Sequence, residues 1–217
     1  MKITYYGHSC FKLESENGQS IITDPFTKVG YELPKGLAAD ILTVSHGHFD
    51  HNYVAAISGE PIVLGQSGDF SVNGISIVGT DSWHDPKQGV LRGGNVIFKY
   101  IIDGMTICHF GDLGEGYSQE IADKIGEVDL CLIPVGGTYT IDAAQAIEYI
   151  KELKPKAVIP MHYRPQDGAL DITGIEVFLE KIKEMPIISC LNGEYSLSKE
   201  QLSDAHTQII YMERRKK

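Results

Sequence analysis

The chain has 217 residues, 42% apolar and 22% charged, which excludes a disordered or fibrous protein. No apolar run approaches the roughly 18–20 residues that cross a bilayer, so no membrane partner is expected. The formal net charge of −10 argues against a nucleic-acid partner, because phosphate contact needs clustered Lys and Arg. The length suits one domain over residues 1–217. The first residues, Met1-Lys2-Ile3-Thr4, lack a leader-like pattern, and the chain reads as cytoplasmic. The one basic run, Arg214-Arg215-Lys216-Lys217, reads as a solvated end. Cys10, Cys108, Cys131 and Cys190 are widely spaced and read as reduced, buried thiols.

Taken in order, the first half predicts strands. Ile3–Tyr6 and Cys10–Leu13 are short apolar runs, and Asn17-Gly18 then signals a hairpin into 20–23. Residues 40–45 form a continuous β-branched run, as in a strand buried on both faces. Asn52–Ile57 reads as a helix start. Pro61–Leu64 is a further strand, and Ile75–Val78 follows an Asn73-Gly74 turn. Asn95–Ile102 and Met105–Phe110 flank the turn signal Asp103-Gly104. The second half alternates: strand Val128–Ile133, amphipathic helix Asp142–Leu153, strand Ala157–Ile159, a second helix Asp171–Glu184, then strands Ile187–Cys190 and Tyr195–Leu197. So many strands with interspersed helices suggest two face-packed sheets covered by helices.

The segment His46-Gly47-His48-Phe49-Asp50-His51 carries the chemistry. It follows a buried strand, where binding residues concentrate. His46 and His48 are two apart, so in an extended segment they project to the same side. Asp50 and His51 fall where the chain must turn, and can face a second point beside the first. The spacing suits two adjacent metal ions. One segment cannot saturate both, and further candidates stand after other apolar runs: His84 in Trp83-His84-Asp85, His109 and Asp112 in His109-Phe110-Gly111-Asp112, and His162 in Pro160-Met161-His162. His8, in Gly7-His8-Ser9, and His206 complete the histidines.

This pattern resembles the metallo-β-lactamase superfamily, whose hallmark is H-x-H-x-D-H at a strand end. Gly7-His8-Ser9 and the stretch 133–140 further resemble the branch that includes the L-ascorbate-6-phosphate lactonases. The resemblance implies a four-layer αββα sandwich of the metallo-β-lactamase type, an α/β fold with metals at one edge between the sheets. It implies His46, His48 and His84 on one metal, and Asp50, His51 and His162 on the other, with Asp112 bridging. It also places Asp24 behind a ligand, which it orients rather than binding metal itself. His109 competes with His84 for the third-motif role. His84 is preferred, because it sits in a loop with Asp85, Lys87 and Arg92, whereas His109 lies in an apolar strand and reads as a supporting or core histidine. His8 is open between an extra ligand, a substrate contact and a support.

The expected cofactors are two divalent ions, zinc first, with manganese or another transition metal as alternatives. Metal-bound hydroxide would be the nucleophile, with Asp50 receiving a proton. The expected activity is a metal-dependent hydrolase acting on a small-molecule substrate, an anionic lactone or ester. Alternatives are a phosphodiesterase on small cyclic or linear phosphodiesters and a non-catalytic metal-binding regulatory protein. Lys87 and Arg92 are candidate contacts to an anionic group, or a solvated basic pair. Thr138 and Tyr139, in Gly136-Gly137-Thr138-Tyr139, lie near substrate or in a turn leading to a helix capped at Thr140 or Asp142. Trp83 walls the pocket or packs. Homo-oligomeric assembly is a further expectation from the related hydrolases.

Overall fold

The structure is a computed structural model describing residues 1–203 and 205–216. The turn residues dictate much of the pairing. β1 (Lys2–Gly7), β2 (Cys10–Glu14) and β3 (Ser20–Thr23) form an antiparallel meander. β4 (Ile41–Thr43) and β5 (Ile62–Leu64) extend it in parallel, and β13 (Glu194–Ser196) closes the other edge against β1. β6 (Gly68–Val72), β7 (Ile75–Trp83), β8 (Gly94–Ile102) and β9 (Met105–His109) form a second meander. Its hairpins turn at Asn73-Gly74 and Asp103-Gly104, where all four residues have the positive φ that two-residue hairpin turns require. The sheet continues in parallel through β10 (Leu130–Pro134), β11 (Ala157–Met161), β14 (Gln208–Met212) and β12 (Ile187–Cys190).

Two sheets result among the described residues, one of six strands in the order β13-β1-β2-β3-β4-β5 and one of eight in the order β12-β14-β11-β10-β9-β8-β7-β6. Side-chain alternation explains why they stack. Tyr5, Phe11, Ile21 and Ile41 join the large core shared with Phe98, Tyr100, Ile107 and Leu132 of the other sheet. Their neighbours Tyr6, Cys10, Ile22 and Leu42 face the opposite way, into a second cluster with Phe26, Val29, Leu33, Leu37 and Ile57. A period of two thus gives the first sheet two buried faces. Thr43 and Tyr100 join the sheets through a buried hydroxyl pair at 2.7 Å.

α1 (Gln119–Ile125) and α2 (Ala143–Leu153) pack on β7 and β10 of the eight-stranded sheet, and α3 (Glu176–Lys181) packs on α2. The two-sheet αββα expectation agrees with this arrangement. The layer outside the six-stranded sheet is irregular, built from residues 25–39 and a short 3-10 turn, Val54–Ala56. The helix start expected over Asn52–Ile57 is therefore only that turn. Tyr53 N–H donates to Pro25 O at 2.7 Å, which diverts the backbone from a helical ladder. The helix expected over 171–184 is confined to Glu176–Lys181. Its first residues are held elsewhere, because both the backbone N–H and the hydroxyl of Thr173 donate to Gly136 O at 2.8 Å. α1, β6 and β14 lie outside the sequence expectation.

The basic end is not a free solvated tail. The Arg214 guanidinium lies 4.1 Å from the Tyr31 ring centroid and pairs with Asp167. Arg215 N–H donates to Tyr5 O at 2.7 Å. An arginine can stack on an aromatic face and pair with a carboxylate at once, which a charge count does not reveal. Lys217 lies outside the described residues. All four cysteines are free and buried, and His206 is exposed. Among the described residues no helix is long and apolar enough to cross a membrane.

α2 begins in a reciprocal capping box, with Asp142 accepting from Ala144 and Gln145 N–H while the Gln145 side chain accepts from Asp142 N–H. Asp142→Ala should lower stability by about 1 kcal/mol in urea denaturation. An unchanged midpoint would show that the cap carries no stability.

Candidate metal centre

Strand direction builds the site. β1 and β3 run the same way, each antiparallel to β2, and β4 is parallel to β3. Their C-terminal ends release His8, Asp24 and the His46–His51 segment. In the other sheet β7, β9 and β11 also share one direction. Their C-terminal ends release His84, Asp112 and His162. Two glycines permit the approach of the latter chains. A Cβ on Gly114 would stand 2.3 Å from the His84 carbonyl, and one on Gly136 would stand 2.1 Å from His162 O.

The side chains gather in overlapping groups. Ligand atoms of His46, His48 and His84 lie within 4.8 Å of one another, as do those of His8, Asp50, His51 and His162. Asp112 stands between the groups. Its Oδ2 is 3.4 Å from His84 Nε2, 3.2 Å from His162 Nε2 and 3.9 Å from His46 Nε2, and its Oδ1 is 3.0 Å from His51 Nε2. Asp112 N–H donates to Asn95 Oδ1 at 2.8 Å, and the Asn95 amide donates to Phe110 O and Ser82 Oγ. Asn95 is thus the buttress of the shared carboxylate. It was not singled out in the sequence, although an amide opening an apolar strand was a visible signal.

Asp24 fixes two of the histidines. Its Oδ1 accepts Ser45 N–H at 2.7 Å, and its Oδ2 accepts the Ser45 hydroxyl at 2.6 Å and His51 Nδ1 at 2.8 Å. With that hydroxyl committed to Asp24, His46 Nδ1 is the donor to Ser45 Oγ at 3.0 Å. Both Nε2 atoms then turn inward. Asp24 does not itself join the convergent groups. His109 is directed elsewhere. Its Nδ1 accepts Gly111 N–H, and its Nε2 donates to Ser9 O at 2.9 Å, pinning the β1–β2 turn to the opposite sheet.

Charge and burial act against each other here. Burial, aided by the nearby His51, lowers His46 to about 3, and burial with His162 nearby lowers His8 to about 4. Both are neutral at physiological pH and carry a free electron pair. Burial alone would lower His51 too, but the Asp112 and Asp24 carboxylates raise it well above the ordinary histidine value. Burial opposes ionisation of Asp112, yet His162 and His51 hold it well below the usual carboxylate range. The same balance, with His8 as its hydrogen-bonding partner, keeps Asp50 ionised.

The geometry fits metal. His46 Nε2, His51 Nε2, His162 Nε2 and Asp112 Oδ1 are buried with no hydrogen-bond partner, despite the short separations above. A buried polar atom left so costs about 1–3 kcal/mol. Two ligand atoms sharing one ion at 2.0–2.2 Å stand about 2.8–3.6 Å apart for angles from 90° to tetrahedral, a span that takes in the 3.0, 3.2 and 3.4 Å from Asp112 to His51, His162 and His84. The donors are imidazole nitrogens and carboxylate oxygens, a set that suits zinc, manganese or iron.

The rim residues divide. Asp85 is buried and accepts N–H groups of Lys87, Leu91 and Arg92, shaping the loop after His84. Arg92 donates to Thr138 O at 3.1 Å and lies over the Tyr139 ring, so it straps two rim loops together. Lys87 and Thr138 are exposed, and Tyr139 is partly so. Trp83 sits over Gly89, where a Cβ would come within 2.6 Å of the indole, and packs the loop.

Asp24→Asn should weaken metal binding 10–100-fold in a competition titration with a chromophoric chelator, with an unaltered circular dichroism spectrum. Unchanged affinity would show that the carboxylate does not orient His51 and His46.

Comparison with known proteins identifies the family. Residues 2–162 match the family described as "Beta-lactamase superfamily domain". A "UPF0173 metal-dependent hydrolase" of Pelotomaculum thermopropionicum is 35% identical, over 75% of this chain and 84% of its own length. One from Thermoplasma volcanium is 30% identical, over 77% and 85%. A crystal structure from Thermotoga maritima, assigned as a Zn-dependent hydrolase of the metallo-β-lactamase superfamily, superposes with a TM-score of 0.78 at 32% identity, covering 98% of this chain and 99% of that one. The chain belongs to the metallo-β-lactamase superfamily and is a metal-dependent hydrolase of the UPF0173 type.

Proposed function

We propose that this hydrolase works with two divalent ions and cleaves small anionic lactones or esters. The observation that supports it is the Asp112 carboxylate, buried between two groups of imidazoles with an oxygen left unpartnered. His46, His48 and His84 would hold one ion, Asp50, His51 and His162 the second, and Asp112 both. Such a pair polarises a carbonyl or phosphoryl oxygen and lowers the pKa of coordinated water toward about 7.

The remaining work falls to the protein. Asp50 is held ionised beside His8, so its carboxylate is available to accept a proton at neutral pH. Lys87 and the unused donors of Arg92 offer contacts to an anionic group. Arg92 also holds the loop that carries Thr138 and Tyr139, whose ring supplies one wall. Phe49, Val90 and Leu91 are exposed on the same segments that carry the histidines, and can meet an apolar substrate body.

The test is metal analysis joined to a panel of lactones, carboxylic esters, thioesters and phosphodiesters, assayed after chelation and after adding back zinc or manganese. Turnover of a lactone or ester, lost with chelator and restored by metal, is the expected result. Turnover confined to phosphodiesters would replace the substrate class, and none with any metal would favour a binding role. Asp50→Asn should lower kcat by about 10²–10⁴-fold as loss of a positioned proton acceptor. Full turnover with both ions retained would remove Asp50 from that role.

A further inference from the structure

A cavity of about 410 Å³ lies apart from the metal centre, and no candidate metal ligand lines it. Its size falls within the roughly 300–1,000 Å³ of small-molecule sites. It forms where segments distant in sequence meet: the end of β1, Tyr31, the loop 163–167 after β11, the start of α3, and β14 with the residues that follow it. We propose that this cavity is a binding site for a small organic cation, a ligand bearing a guanidinium or primary ammonium group. The site is separate from the hydrolytic one, so the proposal stands whichever bond the metal centre cleaves.

Three observations carry it. The first is the aromatic lining. Tyr5, Tyr31, Tyr163 and Tyr211 all border the cavity. The faces of phenol rings carry negative potential and attract cations. This wall already holds one, because the Arg214 guanidinium lies 4.1 Å from the Tyr31 ring centroid and pairs with Asp167. The second is the balance of charge. Three carboxylates and three cations line the cavity. Arg214 and Asp167 satisfy each other, and Arg164 stands 4.0 Å from Asp171, which is outside the cavity. Glu176 and Glu213 form no ion pair among the described residues, and they are opposed only by Lys216. Both glutamates stand near Tyr211, whose hydroxyl is raised by burial and then by Glu213 and Glu176. The unspent charge is therefore negative, and it lies beside an aromatic ring.

The third is rigidity. Tyr5 and Tyr163 are buried, and their hydroxyls are committed to the backbone. Tyr5 donates to His8 O at 3.0 Å, and Tyr163 donates to Met212 O at 3.1 Å. A floor fixed before the ligand arrives spares the entropy of ordering it on binding.

Calorimetric titration of the zinc-loaded protein with agmatine tests the proposal, because bound zinc disfavours a further cation at the metal centre. The expected result is one agmatine per chain at millimolar affinity or tighter, with shifted NMR ring signals of Tyr31 and Tyr211. Glu176 and Glu213 are both exposed, so their replacement leaves the core untouched. The double variant Glu176→Gln with Glu213→Gln should bind agmatine about 10-fold more weakly. No binding at millimolar agmatine would overturn the proposal, as would binding that leaves both tyrosine rings unshifted or that the double variant does not weaken. Arginine that binds where agmatine does not would show that a carboxylate is required, and would also overturn an organic-cation site. So would orthophosphate that shifts the same rings in place of agmatine. The wild-type ring signals decide the matter without either substitution.

Discussion

One buried carboxylate is met by four imidazoles that approach it from two sheets. Asp112 is buried, ionised, anchored through its backbone by Asn95, and faced by His46, His51, His84 and His162 without a well-formed hydrogen bond to any of them. That is an electrostatic arrangement which folding alone does not complete. Polar atoms in a protein interior are normally paired, so a concentration of unpartnered imidazole nitrogens and a carboxylate oxygen marks a site fitted to bind cations. The rest of the molecule can be understood as the scaffold that holds this unpaired set in place.

The scaffold works by strand direction. Six strands, three from each sheet, present their C-terminal ends to one edge, and each delivers a residue of the centre. Because the sheets are fixed by a close-packed core, the ends cannot drift independently. Cross-sheet contacts near the edge tighten this further, through Thr43 with Tyr100 and His109 with Ser9. The loops that bear Lys87, Arg92 and Tyr139 lie outside this frame and are joined mainly by Arg92, which suits a rim that meets substrate.

The sequence made the strands and the convergent histidines legible for a local reason. β-branched runs, two-residue turns and an H-x-H-x-D-H segment are signals within a few residues of one another. What it left open depends on distant contacts. The helix expected over 171–184 is shortened because Thr173 is held by Gly136, and Arg214 is drawn from solvent by Tyr31 and Asp167. β14 inserts between β11 and β12, a pairing that no local pattern near Gln208 specifies. Likewise, Gly7-His8-Ser9 marks a turn, but only the fold carries that histidine to Asp50. Asn95 and Ser45 acquire their roles only when Asp112 and Asp24 fold against them.

The account depends on Asp112 standing between two cations. Anomalous diffraction at the zinc edge from crystals of the zinc-loaded protein tests this directly. The account predicts two peaks per chain, one on each side of the Asp112 carboxylate. A single peak, or peaks that leave Asp112 uncoordinated, would contradict it.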